Sequence, residues 1–209
     1  MEFKFNYKPI NLSCSKDEHR TSLNYVSIDS DDMMASNGHI LTRYSSKRIF
    51  LEMSFEETIY IHRQDWETLK GYDFVTKIEG SENLLKFIDS KKKKRPNIIE
   101  VSTGINFPKM KDMFPSKNRW AFETNNFMFS FCLDYLLAAK KLIGNRVIFE
   151  FTTKTVKKDD KQHFNRVNNI IVTKHYDELT EDEQNDMDFC MIMPILSDQE
   201  FSYKSKLLK

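Results

Sequence analysis

Three groups of residues in this 209-residue chain could do chemistry, and the first is centred on His39. His39 follows Asn37-Gly38 and lies a few positions after the carboxylate pair Asp31-Asp32. Catalysis by this histidine would require a nucleophile or a carboxylate at a recognisable spacing, and no Ser/His/Asp or Cys/His pattern is identifiable. Paired carboxylates in a turn are usually solvated. We therefore predict that the chain is not an enzyme.

The second group is the cysteines, Cys14, Cys132 and Cys190. They are far apart and odd in number, and neither a CxxC pair nor a Cys/His ligand spacing is present. Cys132 and Cys190 have apolar neighbours, which is typical of small core residues. We predict that the chain holds no metal and needs no cofactor.

The third group is a run of basic side chains, Lys91 to Lys94 and Arg95, followed by Pro96. Adjacent like charges repel one another and stay solvated, so the run is either a phosphate contact or simply a solvated hairpin loop. The net charge is only +1, from 32 basic and 31 acidic residues, whereas a nonspecific nucleic-acid binder usually shows a clear basic excess. Composition leaves DNA binding open.

Strands must position most of these residues, because period-two alternation dominates the chain. The aromatic content of 13% predicts an aromatic-rich core, and the hydrophobic content of 40% is ordinary for a globular protein. The alternation predicts strands at residues 2–8, 22–29, 48–53, 58–62, 74–79, 84–88, 97–102, 119–124, 146–152, 168–174 and 188–194. Polar connections are expected at 90–96, 154–161 and 177–188.

Two well-terminated helices are predicted. One covers residues 63–70 and ends at Gly71; the other covers residues 132–143, carries an apolar stripe and ends at Gly144. A weaker third helix at residues 180–185 has capping-box spacing between Thr180 and Glu183. The N-terminus lacks the apolar segment of a signal peptide, and no apolar run reaches membrane-spanning length. We expect a cytoplasmic protein with no membrane partner.

Each of the two strong helices follows a short apolar segment, residues 59–61 or 127–129, and precedes three predicted strands. This arrangement predicts an internal repeat, a β-α-β-β-β unit used twice. The predicted fold class is therefore α+β, with duplicated units whose two helices pack on antiparallel sheet. The halves would be residues 1–116 and 117–209, forming one compact unit.

Two short segments stand out for what they could bind. Ser36-Asn37-Gly38-His39-Ile40-Leu41 is typical of a turn between two strands, since Asn-Gly suits positions that need positive backbone dihedrals. Near the C-terminus, Cys-Met-Ile-Met-Pro-Ile-Leu at residues 190–196 predicts an apolar strand stopped by a proline, which cannot donate to a sheet ladder. Taken alone, both are compatible with an ordinary turn and an ordinary core strand.

In order and context, these segments resemble parts of bacterial DNA sliding clamps, the beta subunits of DNA polymerase III. Residues 27–41, ending in Ser-Asn-Gly-His-Ile-Leu, are similar to a clamp segment whose usual form is Thr-Asp-Gly-His-Arg-Leu. Residues 59–69 resemble the strand and helix that follow it, and Thr-Gly-Ile-Asn-Phe-Pro at 103–108 resembles the Gly-x-Phe-Pro stretch closing the middle domain. Residues 131–137 and 188–196 resemble the last domain's helix and its terminal strand with Met-Pro.

The resemblance implies a DNA-clamp-like fold and an apolar groove that accepts a short linear peptide from polymerases and other replication proteins. A clamp subunit has three domains, and this chain has room for about one and a half. Methionine suits such a groove because its side chain is flexible and polarizable. The implied peptide-groove residues are Ser36, Gly38, His39, Leu41, Met191, Met193 and Pro194.

Clamps also line their ring with basic helix faces that contact phosphates without reading bases. Neither predicted helix face is strongly basic here, so the lysine run is the better candidate for a DNA contact. The residues that could make one are Arg63, Lys70, Lys91, Lys92, Lys93, Lys94, Arg95 and Lys141.

The function implied by the resemblance is a non-enzymatic accessory protein of DNA replication or repair. Its expected partners are clamp-binding motifs of polymerase or repair proteins, with double-stranded DNA and further copies of the chain also expected. Two other classes stay open. One is a clamp-derived oligomeric adaptor or scaffold of a phage or mobile element, without DNA encirclement. The other is an unrelated small α+β enzyme, which would need a polar pocket holding perturbed titratable groups.

Overall fold

The computed structural model describes residues 1–113, 133–144, 147–158, 162–174, 180 and 188–193. Within these residues the chain is α+β, with two antiparallel sheets and few helices. The helices are α1 (Ser46–Ile49), α2 (Arg63–Thr68) and α3 (Leu133–Ile143), with 3-10 turns at Ile10–Ser13, Thr21–Asn24 and Met110–Met113. The strands are β1 (Phe3–Lys4), β2 (Tyr25–Ile28), β3 (Asp32–Ser36), β4 (Ile40–Ser45), β5 (Ile59–His62), β6 (Phe74–Ile78), β7 (Ser81–Ile88), β8 (Asn97–Glu100), β9 (Val147–Lys158), β10 (Gln162–Lys174) and β11 (Phe189–Ile192).

The larger sheet has seven strands in the order β5-β2-β3-β4-β11-β10-β9, and every neighbouring pair is antiparallel. Its centre is the pairing of β4 with β11, so strands from residues 1–116 and from residues 117–209 share one sheet. All residues of β3, β4 and β11 are buried. The middle of this sheet is therefore covered on both faces.

The smaller sheet has the order β1-β6-β7-β8 and packs its apolar side chains on an aromatic core. Phe5 is central to that core, with its ring centroid 5.0 Å from Phe87, 5.4 Å from Phe50 and 5.9 Å from Trp66. The indole N–H of Trp66 donates to the Lys8 carbonyl oxygen at 2.8 Å, so the buried ring has its polar atom satisfied. The predicted aromatic-rich core is confirmed.

Helix α3 ends as predicted, with Gly144 directly after Ile143 at a φ of +134°. Helix α2 ends at Thr68, earlier than predicted, and Gly71, with a φ of +89°, lies in the turn that follows it. Both helices precede similar elements. Each is followed by a three-strand antiparallel meander, β6–β8 after α2 and β9–β11 after α3. Helix α3 packs on β10 and β11, and α2 packs against β2 and β5. Strand β5 joins the seven-stranded sheet rather than the meander that follows it. None of the described helices is long and apolar enough to cross a membrane.

Some predicted elements differ from the structure. The strand predicted at 48–53 is wrong, because Ser46–Ile49 form a helical turn and Phe50 makes only an isolated bridge to Phe5. The connection predicted at 154–161 is wrong up to residue 158, since β9 and β10 form a long hairpin. Strand β3 has no apolar alternation because both of its faces are buried. Residues 119–124, 127–129 and 181–185 lie outside the described residues.

Candidate functional site

The two segments predicted to form a groove are brought together by the pairing of β4 with β11. Leu41 lies opposite Met191 in this pair, and Ser36 lies opposite Leu41 on the neighbouring strand β3. Just beyond the end of β11, the Met193 N–H donates to the His39 carbonyl oxygen at 2.8 Å. We call this place the seam, and its residues are Ser36, Gly38, His39, Leu41, Met191 and Met193.

Exposure divides the seam residues into two groups. Ser36 and Leu41 are 0% exposed and Met191 is 1% exposed, whereas Met193 is half-buried. Gly38 and His39 are exposed. Pro194, the remaining residue predicted for the groove, lies outside the described residues. A ligand can therefore contact His39 and Met193 directly, while the apolar side chains deeper in the seam are covered.

The turn between β3 and β4 is held by side chain-to-backbone hydrogen bonds. The Asn37 carboxamide oxygen accepts from the N–H groups of His39 and Ile40, each at 2.9 Å, and the Ser36 hydroxyl oxygen accepts from the Gly38 N–H at 3.0 Å. Gly38 has the positive φ predicted for the turn, +88°, but Asn37 does not. Asparagine thus serves this turn through its amide side chain rather than through its backbone conformation.

His39 is fixed against helix α3. Its ring stacks on that of Tyr135, with centroids 5.8 Å apart and planes 16° apart. On the same turn, the Arg20 guanidinium donates to the Asn37 carbonyl oxygen at 3.0 Å. The exposed end of the seam is therefore held by contacts from Tyr135 and Arg20.

A hydrophobic cluster separate from the main core contains the seam residues Leu41 and Met191. The main core contains Ile40 and Ile192, whose side chains point to the opposite face of the seven-stranded sheet. Leu23 and Phe107 are partly buried against this second cluster. We call it the seam cluster, and its buried members are Met34, Leu41, Met110, Ile171, Phe189 and Met191.

The seam cluster is covered by residues 105–111, which we call the strap. Its root lies beside β5, where Tyr60 and Ser102 exchange two backbone hydrogen bonds of 2.8 and 2.9 Å. The Phe107 ring then contacts the Tyr60 ring at a centroid distance of 6.0 Å, and Met110 is buried at 6% exposure. The strap ends at Lys111, whose ammonium pairs with two carboxylates.

Those carboxylates belong to Asp29 and Asp32, 3.0 and 2.9 Å from the Lys111 nitrogen. Asp32 also pairs with the Arg43 guanidinium at 2.6 Å. Its place in a turn predicted a solvated carboxylate, but Asp32 is buried. Burial alone would lower the pKa of Lys111, but the Asp32 and Asp29 carboxylates outweigh it and raise that pKa. Asp31, in contrast, is exposed, and its hydrogen bond to Lys47 lowers its pKa.

A further carboxylate, Asp188, lies at the start of β11. It accepts the Ser45 N–H at 2.9 Å and pairs with the Arg48 guanidinium, which fixes the end of β4 to the start of β11. Burial raises the pKa of Asp188 even though the Arg48 charge opposes that rise. This carboxylate therefore has a structural role at the seam.

The cysteines are buried and unreactive where the structure describes them. Burial raises the thiol pKa of both Cys14 and Cys190 to about 12, so neither forms a nucleophilic thiolate near neutral pH. Cys190 is a small core residue, as predicted, and Cys132 lies outside the described residues. Across the described part of the chain, no three His, Cys, Asp or Glu side chains are placed to hold a metal ion.

The basic run forms an ordered loop, residues 90–95, which we call the lysine loop. The Asp89 carboxylate, 7% exposed, accepts the N–H groups of Lys91, Lys93 and Lys94 at 2.9, 3.0 and 3.1 Å. All five basic side chains of the loop are exposed. The backbone thus turns inward to one buried carboxylate and the charges point outward.

The other basic residues predicted for a DNA contact are distributed over separate elements. Lys70 lies beside the lysine loop, because the Lys94 ammonium donates to the carbonyl oxygen of Lys70. The same ammonium lies 5.1 Å from the Tyr72 ring centroid. Arg63, half-buried, is at the opposite end of α2, and Lys141 is exposed on α3. The structure therefore groups Lys70 with the loop and leaves Arg63 and Lys141 elsewhere.

The sequence reasoning missed the residues that cover the seam. Phe107-Pro108 was singled out, but Met110 and Lys111, three and four positions after Phe107, were not. The available signal was an aromatic residue and a methionine three positions apart in an otherwise polar connection. Asp29, Asp32 and Arg43 gave no comparable signal, because their pairing depends on strand register.

Comparison with known proteins gives similarity in structure only. No family model and no curated protein matches the chain. Among solved structures, the DNA polymerase beta subunit of Streptococcus pyogenes is similar at a TM-score of 0.49 and 11% identity, over 94% of this chain and 66% of that one. The DNA polymerase III beta subunit of Thermotoga maritima gives 0.47 and 11%, over 93% and 66%. That of Pseudomonas aeruginosa gives 0.46 and 10%, over 94% and 67%.

Proposed function

We propose that the chain is a non-enzymatic, sliding-clamp-like accessory protein of DNA replication or repair, whose seam binds a short apolar peptide motif of a partner protein. The observation that carries the proposal is the pairing of Leu41 with Met191, continued by the Met193–His39 hydrogen bond of 2.8 Å. Two segments far apart in the sequence, each similar to a clamp pocket segment, are hydrogen-bonded neighbours there. A chance resemblance of each segment would not require them to be neighbours.

The chemistry of the seam suits an apolar ligand. Met193 offers a flexible thioether that is half-buried, and His39 offers an exposed ring held by Tyr135. The seam residues Leu41 and Met191 belong to a cluster composed of methionine, leucine, isoleucine and phenylalanine side chains. A peptide with two or three apolar side chains would bury them here, while its backbone would meet the polar groups of the β3–β4 turn.

The test is fluorescence anisotropy of a labelled peptide carrying a clamp-binding motif. Met193→Ala should weaken its affinity by about tenfold, in the range of a truncated interface anchor. Leu137→Ala is the matched control, because it also truncates a partly exposed apolar side chain, on helix α3. Absence of binding, or an affinity that Met193→Ala leaves unchanged, would contradict the proposal.

A second contact, with nucleic acid, is proposed for the lysine loop together with Lys70. The supporting observation is that Asp89 orders the loop backbone while its basic side chains stay exposed, a geometry suited to phosphate contacts. The triple variant Lys91→Ala, Lys92→Ala, Lys93→Ala should weaken binding to double-stranded DNA and flatten its salt dependence. The control variant Lys4→Ala, Lys16→Ala, Lys77→Ala removes the same charge from exposed positions elsewhere, and equal loss in both would contradict a dedicated contact.

Assembly distinguishes this proposal from the adaptor alternative. A ring of such small units needs several copies, so sedimentation should give a mass that is a multiple of 24.9 kDa. A protein that encircles DNA should remain on circular DNA at a salt concentration that releases it from linearised DNA. Peptide binding and self-assembly without that retention would favour an adaptor or scaffold. The cytoplasmic location is part of the same proposal.

A further inference from the structure

The strap fills the seam cluster with side chains of its own. Met110 is a buried member of the cluster, with 6% of its surface exposed, and the partly buried Phe107 packs against the cluster. These two side chains, three positions apart, lie over the same sheet face as Leu41 and Met191. The strap thus contributes to the burial of Leu41 and Met191.

The strap is attached to the sheet by side chains. Between Ile105 and Lys111, the described backbone–backbone hydrogen bond is local, from the Phe107 N–H to the Ile105 carbonyl oxygen at 2.7 Å. The attachments to the sheet are the Phe107 ring, the Met110 side chain and the Lys111 ion pairs. Lifting the strap therefore breaks no pairing between strands, and such a segment opens more easily than the sheet beneath it.

The site that receives Lys111 is prepared by the sheet. One oxygen of the Asp29 carboxylate accepts the N–H groups of Asp31 and Asp32 at 2.9 and 2.8 Å, and the other faces Lys111. Asp32 already has Arg43 as a partner, so the group of three ionic side chains persists when Lys111 leaves. Charge alone thus favours a cation next to the apolar cluster.

We propose that the strap is an internal ligand of the seam cluster and that the partner peptide displaces it. This inference rests on the proposed function and names the partner's chemistry. The partner carries an aromatic side chain, a long unbranched apolar side chain three residues later, and a lysine or arginine directly after that. These groups take the places of Phe107, Met110 and Lys111. The strap holds the free protein in a state of low affinity.

The strap can be loosened without touching the seam. Met110→Ser with Lys111→Ser removes its apolar and ionic attachments. Pro108→Ser with Lys109→Ser is the matched control, since both residues are exposed and the variant also loses one lysine from the strap. Loosening the strap raises the fraction of protein molecules whose seam cluster is open. The apparent affinity for a peptide rises in proportion to that fraction, by about tenfold or more if the strap is mostly closed in the parent.

The experiment measures two labelled peptides against the parent protein and both variants. One is residues 103–113 of this chain; the other carries a clamp-binding motif. Both should bind the loosened variant about tenfold more tightly than the parent or the control. A strap peptide with serine at the positions of Met110 and Lys111 should not compete. Should the double variant fail to fold, Lys111→Ala, whose side chain is 50% exposed, should still raise affinity about threefold.

The outcomes separate the two proposals. Equal affinity of the strap peptide for all three folded proteins, or no binding to the loosened one, overturns the internal-ligand inference. If the clamp-motif peptide also binds all three alike, through Met193, the proposed function stands without it. If the strap peptide binds the loosened variant and the clamp-motif peptide binds none of the proteins, the internal ligand stands and the proposed partner class is wrong.

Discussion

The seam and the lysine loop present their side chains in opposite ways. At the seam, Leu41 and Met191 come from strands far apart in the sequence and are fully buried beneath the strap. In the lysine loop, consecutive residues form the surface, their backbone N–H groups turn in to Asp89, and their side chains are exposed. The seam therefore buries the apolar side chains of Leu41 and Met191, whereas the loop exposes its charged side chains.

This difference has consequences for binding. A ligand of the lysine loop meets a preformed backbone and exposed charges, so its affinity should depend mainly on ionic strength. A ligand of the seam cluster must first displace Met110 and Phe107, so part of its interaction free energy is spent on opening the strap. Peptide affinity at the seam should therefore change with substitutions in the strap, and DNA affinity at the lysine loop should change with substitutions of its basic residues.

The largest expected effect contrasts the two regions in stability. Leu41→Ala leaves a cavity in the seam cluster and should lower the free energy of unfolding by about 2–5 kcal/mol. Lys93→Ala, in the exposed loop, should change it by less than about 0.5 kcal/mol. Urea unfolding followed by circular dichroism measures both. A loss below about 1 kcal/mol for Leu41→Ala would mean that the seam is open in solution.

The next effect concerns the backbone of the lysine loop. Asp89→Ala leaves three partly buried backbone N–H donors without their carboxylate acceptor. It should lower the free energy of unfolding by about 1–3 kcal/mol. Trypsin should then cleave within residues 90–95 faster than in the parent. Glu100→Ala, which removes an exposed carboxylate from the same sheet, is the control. Unchanged cleavage in Asp89→Ala would show that the loop is ordered by other contacts.

A smaller effect tests the two faces of the seven-stranded sheet at the seam. Thr173, on the seam face, is 0% exposed, and its hydroxyl has no hydrogen-bond partner among the described residues. Thr173→Val should therefore raise the free energy of unfolding by up to about 1 kcal/mol. Thr42 on the main-core face shares a 2.7 Å hydrogen bond with Ser13, so Thr42→Val should lower it by about the same amount. Equal signs in thermal unfolding would refute this contrast.

The smallest effect is on pH dependence, where the two regions should act in opposite directions. Burial raises the pKa of Asp188 at the seam, so this carboxylate binds a proton more readily in the folded protein than in the unfolded chain. The contribution of Asp188 to stability therefore falls as pH rises from about 4 to that raised pKa. The hydrogen bond from Ser90 lowers the pKa of Asp73 at the base of the lysine loop. Its contribution is present above about pH 4 and is lost as pH falls through the lowered pKa.

The matching substitutions should therefore alter the pH profile of the unfolding free energy with opposite signs. Asp188→Asn should make its slope more positive above pH 4, and Asp73→Asn should make its slope less positive below pH 4. Urea titrations at several pH values measure both slopes. A change of the same sign in the two variants would show that the carboxylates have similar environments in solution.

Local features of the fold were predictable because their causes lie within a few residues. The end of α3 before Gly144 follows from the left-handed conformation that glycine adopts without strain. Strands with one buried face, such as β7, were predicted from alternation, whereas β3 was not, since a strand covered on both faces loses its polar positions. Alternation predicted a strand at residues 48–53, but Ser46–Ile49 form a helical turn instead.

For the candidate site, the sequence by itself determined which residues have suitable chemistry: the turn at Asn37-Gly38, the two methionines Met191 and Met193, and the lysine run. Only the tertiary structure decided how they are used. It paired Leu41 with Met191 and packed Met110 in the same cluster as that pair. It also paired Lys111 with Asp29 and Asp32, and turned the loop backbone toward Asp89. The physical reason is that burial and ion pairing depend on which strands become neighbours, and that is fixed by cooperative packing of the whole sheet rather than by any local run of residues.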